Sequence, residues 1–244
     1  SGFTLLPEIG GIALAAAGTA GLLLFFAVEA RQKSPVLHVN LFLRNRVFAF
    51  SNLAALINYS ATFAVTFFLS LYLQYIGGFT PQTAGLILVS QPLVMATLSP
   101  YAGRLSDRVE PRIISSAGMA VIAVGLFLLT FLNPDTPLPY LVGCLVLLGL
   151  GFAFFSSPNT NAIMSSVEKR FYSVASGTLG TMRLLGQMLS MAIAVLIFAV
   201  YLGRVQITPE LSAQFLMVVH TAFAVFTVLC IFGVVFSSVR GAVR

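Results

Sequence analysis

Charge is scarce in this chain, and acid scarcer still. Only 8% of the 244 residues are charged, against roughly a quarter in soluble domains. The seven acidic residues (Glu8, Glu29, Asp107, Glu110, Asp135, Glu168 and Glu210) stand between apolar stretches or at their edges, never inside one. The two cysteines, Cys144 and Cys230, fall within apolar stretches, where they read as small packing groups and not as the staples of a disulfide scaffold. No metal-ligand cluster, nucleophile–base pair or phosphate-binding loop is present, which argues against an enzyme and calls for no cofactor. The net charge of +6 is no nucleic-acid footprint, because the basic residues sit in short loops beside apolar runs. A soluble helical protein of this length could not hide an apolar fraction of 58% from water. The chain opens on Ser1, and its first apolar run lacks a basic front and is too long for a cleavable signal, so the sequence suggests part of something longer.

What is abundant is length of apolar run. Seven stretches, Ile9–Val28, Val47–Ile76, Thr83–Tyr101, Ile113–Leu132, Leu138–Met164, Val174–Leu202 and Ala213–Phe236, meet the requirement of about 20 residues for a bilayer-spanning helix. With no water to satisfy backbone groups, such segments must be helices. The expected fold class is an all-α integral membrane protein with about seven transmembrane helices.

The loops alternate. Arg31, Lys33, Arg44 and Arg46 precede the second span; Arg104, Arg108 and Arg112 follow the third; Lys169 and Arg170 follow the fifth; Arg240 and Arg244 follow the seventh. The intervening loops carry Arg204 alone. The positive-inside rule puts the eleven on the cytoplasmic side, with the N-terminus outside and the C-terminus inside. The last six spans divide into two groups of three that run in opposite directions, the topology of an inverted repeat. The expected organisation is a linker transmembrane helix in 1–33, a cytoplasmic interfacial connector in 34–46 and a six-helix bundle in 47–244. In the first span a stripe of small residues (Gly10, Ala13, Ala16, Ala17, Ala20, Gly21) suits close helix approach, or simply faces lipid. In the connector, Val36, Leu37, Val39, Leu41 and Phe42 suit the headgroup region, with Arg44 and Arg46 in water.

One charge breaks the pattern. Arg183 lies nine residues inside its span, about 14 Å at helical rise, where insertion costs at least ~2.5–3.5 kcal/mol. It needs partners. Ser156 and Asn159 lie at similar depth, so Arg183 is expected to face them across a water-filled cavity, or else to snorkel toward the cytoplasm. Asn58, Thr62 and Thr66 recur at four-residue steps with Tyr59 alongside, Gln91 adjoins Pro92, and Gln187 follows Arg183 by one turn. Asn58, Tyr59, Thr62, Thr66, Gln91, Ser156, Asn159, Arg183 and Gln187 form the candidate substrate cavity; the plainer reading has the hydroxyls bonding their own backbone and the amides gluing helices. Phe63, Phe67, Phe68, Phe152, Phe154 and Phe155 supply a greasy wall or face lipid. His220 reads as a packed residue.

The turn Gly103-Arg-Leu-Ser-Asp-Arg-Val-Glu-Pro-Arg112 resembles the cytoplasmic signature of the major facilitator superfamily, Gly-x-Leu-x-Asp-Arg-x-Gly-Arg-Arg/Lys. Gly103, Leu105, Asp107, Arg108 and Arg112 match, while Glu110 and Pro111 depart from it. Gly149-Leu-Gly151 with Pro158-Asn159, Ala175-Ser176-Gly177, Arg183-Leu-Leu-Gly186 and the connector Pro35–Arg46 strengthen the likeness, with serine at 173 and 190 where glycine is usual. Together they resemble the fourteen-helix drug:proton antiporter branch. The resemblance implies that the last six spans are a C-terminal half, that the third and sixth of these lie outside the central cavity, and that Gly103, Arg104, Asp107, Arg108 and Arg112 form a conformational switch; a solvated turn is the plain alternative. It further implies a plasma (inner) membrane protein that exports a lipophilic small molecule against protons and needs an N-terminal six-helix half, from the same gene or another chain, to supply the titrating carboxylate. A half-length assembly or regulatory subunit, and an exporter of one metabolite or siderophore, are the alternatives.

Overall fold

The computed structural model describes residues 39–202 and 211–241. The first apolar span, the connector up to residue 38, Arg204, Glu210 and Arg244 lie outside the described residues. The rest is helical, with no strand among the described residues: α1 (Val39–Arg44), α2 (Arg46–Tyr75), α3 (Pro81–Leu88), α4 (Ser90–Ser106), α5 (Pro111–Leu129), α6 (Leu138–Ser165), a 3-10 turn (Lys169–Phe171), α7 (Tyr172–Tyr201) and α8 (Ser212–Val239). Six of these units, counting α3 with α4 and the 3-10 turn with α7, are long and apolar enough to cross a bilayer. This is a multi-pass membrane protein.

The ends of the helices have local causes. Asn45 caps α2, its side chain accepting from the Phe48 amide at 3.0 Å. Thr80 caps α3 ahead of Pro81, and Pro111 opens α5, both at positions where a missing N–H costs nothing. The expected single span Thr83–Tyr101 is present as one apolar unit, Pro81–Ser106, but its helix is interrupted. It is broken at Val89, because Pro92 can neither donate to the Leu88 carbonyl nor pack beside it. The Ser90 hydroxyl donates to Ile87 O at 2.7 Å across the break.

Packing builds two layers. α2 is central and touches α6, α7 and α8; α4 packs on α6, and α5 on α6 and α8. These pairings survive exchange of the first three helices with the last three. The α2–α7 seam corresponds to α4–α6, and α2–α8 to α5–α6. The expected inverted repeat is thus visible in which helices pair. α5 and α8 form the back layer. α4 and α7 are the open flanks: 11% and 22% of their apolar windows are buried, against 39–56% elsewhere.

The core between the layers is aromatic and aliphatic, with Phe68 stacked on Phe198 at 6.1 Å and edge-on to Phe223 at 6.2 Å. Phe152 and Phe155 are buried in it, so of the six expected wall phenylalanines only Phe63, Phe67 and Phe154 keep a partly open face. Cys144 and Cys230 are free and buried. His220 is packed, its Nε2 against the Leu132 carbonyl. The connector differs from expectation. Leu41 and Phe42 pack against Phe48, Ile163 and Ala175 in a second small core instead of facing headgroups, because the short α1 folds back on α2 and sets Phe42 edge-on to Phe48 at 5.1 Å.

Candidate functional site

Residues three and four apart share a helix face, and Tyr59, Thr62, Phe63, Thr66, Phe67 and Ser70 form such a stripe along α2. The Thr62 and Thr66 hydroxyls bond carbonyls one turn back, at 2.9 and 3.3 Å, which leaves their methyl groups and ring neighbours to shape the surface. Two grooves flank the stripe. One of about 350 Å³ is lined by Thr62, Thr66, Leu88, Gln91 and Met95 between α2 and the broken α3–α4. The other, about 380 Å³, is lined by Phe63, Thr66, Phe67, Ser70 and Leu71.

Arg183 stands at one end of this face. It is exposed, and its guanidinium carbon lies 5.4 Å from the centroid of the Tyr59 ring, within range of a cation–π contact. Gly186, one turn along α7, makes that proximity possible: a Cβ there would stand 2.5 Å from Leu56 O and 3.0 Å from the Ser60 amide nitrogen. The next residue, Gln187, is half-buried. The structure therefore gathers Tyr59 with Arg183, and Thr62 and Thr66 with Gln91. Asn58 is buried within the bundle, and Ser156 is half-buried on α6.

The expected meeting of Arg183 with Asn159 does not occur. Asn159 is 1% exposed and both ends of its amide are engaged elsewhere. Its nitrogen donates to Ser51 O at 3.0 Å, and its oxygen accepts from Arg240 at 2.8 Å. Arg240, read from sequence as one more basic tail residue, is itself 1% exposed. It also donates to the Ser51 hydroxyl at 3.1 Å and the Ser115 hydroxyl at 2.8 Å. Ser237 completes the cluster, 3.1 Å from Ser115 Oγ and 2.9 Å from Ser116 Oγ. Burial lowers the Arg240 pKa to about 10, opposed by Glu110 and reinforced by Arg112, so the guanidinium stays charged at neutral pH. The sequence did hold a signal for this site: a serine in each of two spans (Ser51, Ser115) and an asparagine in a third (Asn159), one or two turns from the same end as the arginine that closes the fourth.

The turn after α4 is built by close approach. A Cβ on Gly103 would meet Ser157 Oγ of α6 at 2.9 Å. Ser106 Oγ donates to Gly103 O at 2.7 Å and receives the Asn161 amide at 2.6 Å. A polar cavity of about 360 Å³ opens there, lined by Ser106, Asp107, Pro111, Asn161, Ser165 and Tyr172. Asp107 closes α4, while Glu110 holds the position preceding α5. Arg104, Asp107 and Arg108 are exposed, and Arg112 is half-buried.

The chain is 28% identical over 221 residues to the riboflavin transporter RibZ of Clostridioides difficile, covering 89% of this chain and 48% of that protein. It is 35% identical over 153 residues to YebQ of Escherichia coli, an uncharacterized transporter, covering 63% of this chain and 33% of that protein. It is 28% identical over 183 residues to the multidrug resistance protein Stp of Mycobacterium tuberculosis, covering 75% and 34%. The chain spans about half the length of these curated relatives, or less. The profile of the Major Facilitator Superfamily matches residues 51–241, and this chain belongs to that superfamily.

Proposed function

We propose that the chain works as the C-terminal half of an exporter that moves lipophilic small molecules by alternating access. The carrying observation is the open stripe of α2, lying between the two least buried spans and ending at Arg183. Two facing halves would close over it. Tyr59, Thr62, Thr66, Gln91, Arg183 and Gln187 line the cargo path; Phe63 and Phe67 give it an apolar wall; the turn from Gly103 to Arg112 is the cytoplasmic switch. Asn58 and Asn159, buried in helix seams, hold the frame. A relative named for multidrug resistance supports a broad cargo. The riboflavin relative, with the wider coverage, supports a single metabolite as cargo, which is the second reading.

No span here carries a carboxylate, so coupling to protons falls to the facing half, from the same gene or a second chain. The basic loops support a cytoplasmic C-terminus, and the plasma membrane is the location proposed for such an exporter. No step of this cycle makes or breaks a covalent bond. The test is efflux of a fluorescent lipophilic cation and of riboflavin from cells expressing the chain with a facing half, with and without a protonophore. Efflux of the dye that the protonophore stops supports the first reading; efflux of riboflavin alone supports the second. Retention of both, at normal membrane levels of the protein, rejects export.

A further inference from the structure

Arg240 heads the large side chains that are wholly enclosed in this bundle, and it is the residue at which four helices meet. It leaves the end of α8 and donates to Ser51 on α2, Ser115 on α5 and Asn159 on α6. The clasp therefore joins helices from both inverted units. Gly241, at φ 93°, turns the chain away immediately afterwards, and its hypothetical Cβ lies 3.9 Å from Val47 at the start of α2. In lipid, apolar packing gives little net drive for helix ends to stay together, so charge-assisted hydrogen bonds carry that duty.

The placement of the partners gives the clasp a direction. Ser115 is in the first turns of α5, directly after the Gly103–Arg112 turn. Ser51 lies eight residues before Tyr59 on α2, about 12 Å along the axis. Asn159 follows Pro158, whose ring removes the backbone bond to Phe154 O and leaves α6 a weak point there. Arg240 thus bonds directly both to α5 just after the turn and to α2 below its open face, and it ties the part of α6 beyond its weak point to both.

We propose that Arg240 is a positioning residue for transport, clamping one end of α2, α5, α6 and α8 into a single body so that motion of the Gly103–Arg112 turn reaches the face of α2. The inference rests on the transporter reading above. Its chemistry demands a fork. One terminal nitrogen serves Ser51 and Asn159 while the other serves Ser115, and a lysine ammonium cannot take both directions. An apolar side chain of similar length can fill the space, and replacing a buried charge in this way is often neutral for stability. Stability and coupling can therefore be separated.

The test uses the complete transporter, reconstituted in vesicles, with Arg240→Lys, Arg240→Met and Ser115→Ala. Transport is measured per folded molecule together with the melting temperature. The expected result for both Arg240 variants is a kcat about tenfold lower with KM little changed, and a smaller loss for Ser115→Ala, which cuts only the link to α5. Wild-type kcat in folded variants overturns the proposal, as does a loss fully explained by missing folded protein. Spin labels at Leu53→Cys on α2 and Val109→Cys in the turn give a readout independent of cargo. The distance distribution is narrow with arginine at 240 and broad with methionine; equally narrow distributions reject the clamp. A wild type that transports nothing, while Arg240→Met still broadens the distribution, sinks the transporter reading and leaves the clamp standing.

Discussion

Asn159 and Arg240 are 81 positions apart in the chain and 2.8 Å apart in space. The contact satisfies an amide oxygen that would otherwise be buried without a partner, and it gives a buried charge an oxygen to face. It also removes Asn159 from the surface where cargo would pass.

Asn159→Ala should therefore act on stability. It deletes one bond to a charged donor and the bond to Ser51 O, and a hydrogen bond to a charged group is worth about 1.5–3 kcal/mol. A lower melting temperature with unchanged KM is expected. An unchanged melting temperature with a raised KM would return Asn159 to the cargo path.

Arg183→Leu should do the reverse. Arg183 is exposed and its recorded contact is the ring of Tyr59, so its loss costs the fold little. Export should fall by about tenfold or more, as for a side chain that contacts the cargo during transport, with normal amounts of protein in the membrane. Tyr59→Leu should give an intermediate loss, since it removes the cation–π contact of about 0.5–2 kcal/mol and keeps the charge. Undiminished export by Arg183→Leu would rule out a cavity role.

The Gly103 site separates size from chemistry. The atom that a new Cβ would meet is the end of the Ser157 side chain, which can rotate away. Gly103→Ala should be tolerated within about 1 kcal/mol, whereas Gly103→Leu should force α4 off α6 at a cost of about 1–3 kcal/mol or more. Thermal melting in detergent reads both; equal effects of the two substitutions would refute the packing account.

Orientation can be read from outside intact cells. A membrane-impermeant maleimide should label Thr136→Cys and spare Arg108→Cys. Arg108 is in the arginine-rich turn, and Thr136 is in the loop where its hydroxyl accepts from the Asn133 amide. Equal labelling of the two would contradict a common cytoplasmic side for the basic loops.

The apolar runs announced the membrane helices because the bilayer demands uninterrupted length, and the five unbroken spans within the described residues lie within a few positions of their expected bounds. The Pro92 break was legible in principle, since proline removes a bond at a known offset, but the hydropathy of Thr83–Tyr101 concealed it. Gly103 and Gly186 were visible as small residues, while the neighbours that require them, Ser157 and Leu56, belong to other helices. Arg240 was misread because an arginine at the end of a span normally faces water, and only neighbours supplied by three other helices make an interior place affordable.

The sequence by itself determined the solvent, the number of spans within the described residues and which connections carry positive charge. Those properties follow from the transfer free energy of each segment, summed locally along the chain. The tertiary structure decided which helices pair, that α2 keeps an open face beside Arg183, and that Arg240 turns inward to Ser51, Ser115 and Asn159. Those properties depend on hydrogen bonds and close contacts between residues 81 to 189 positions apart, and no local sum contains them.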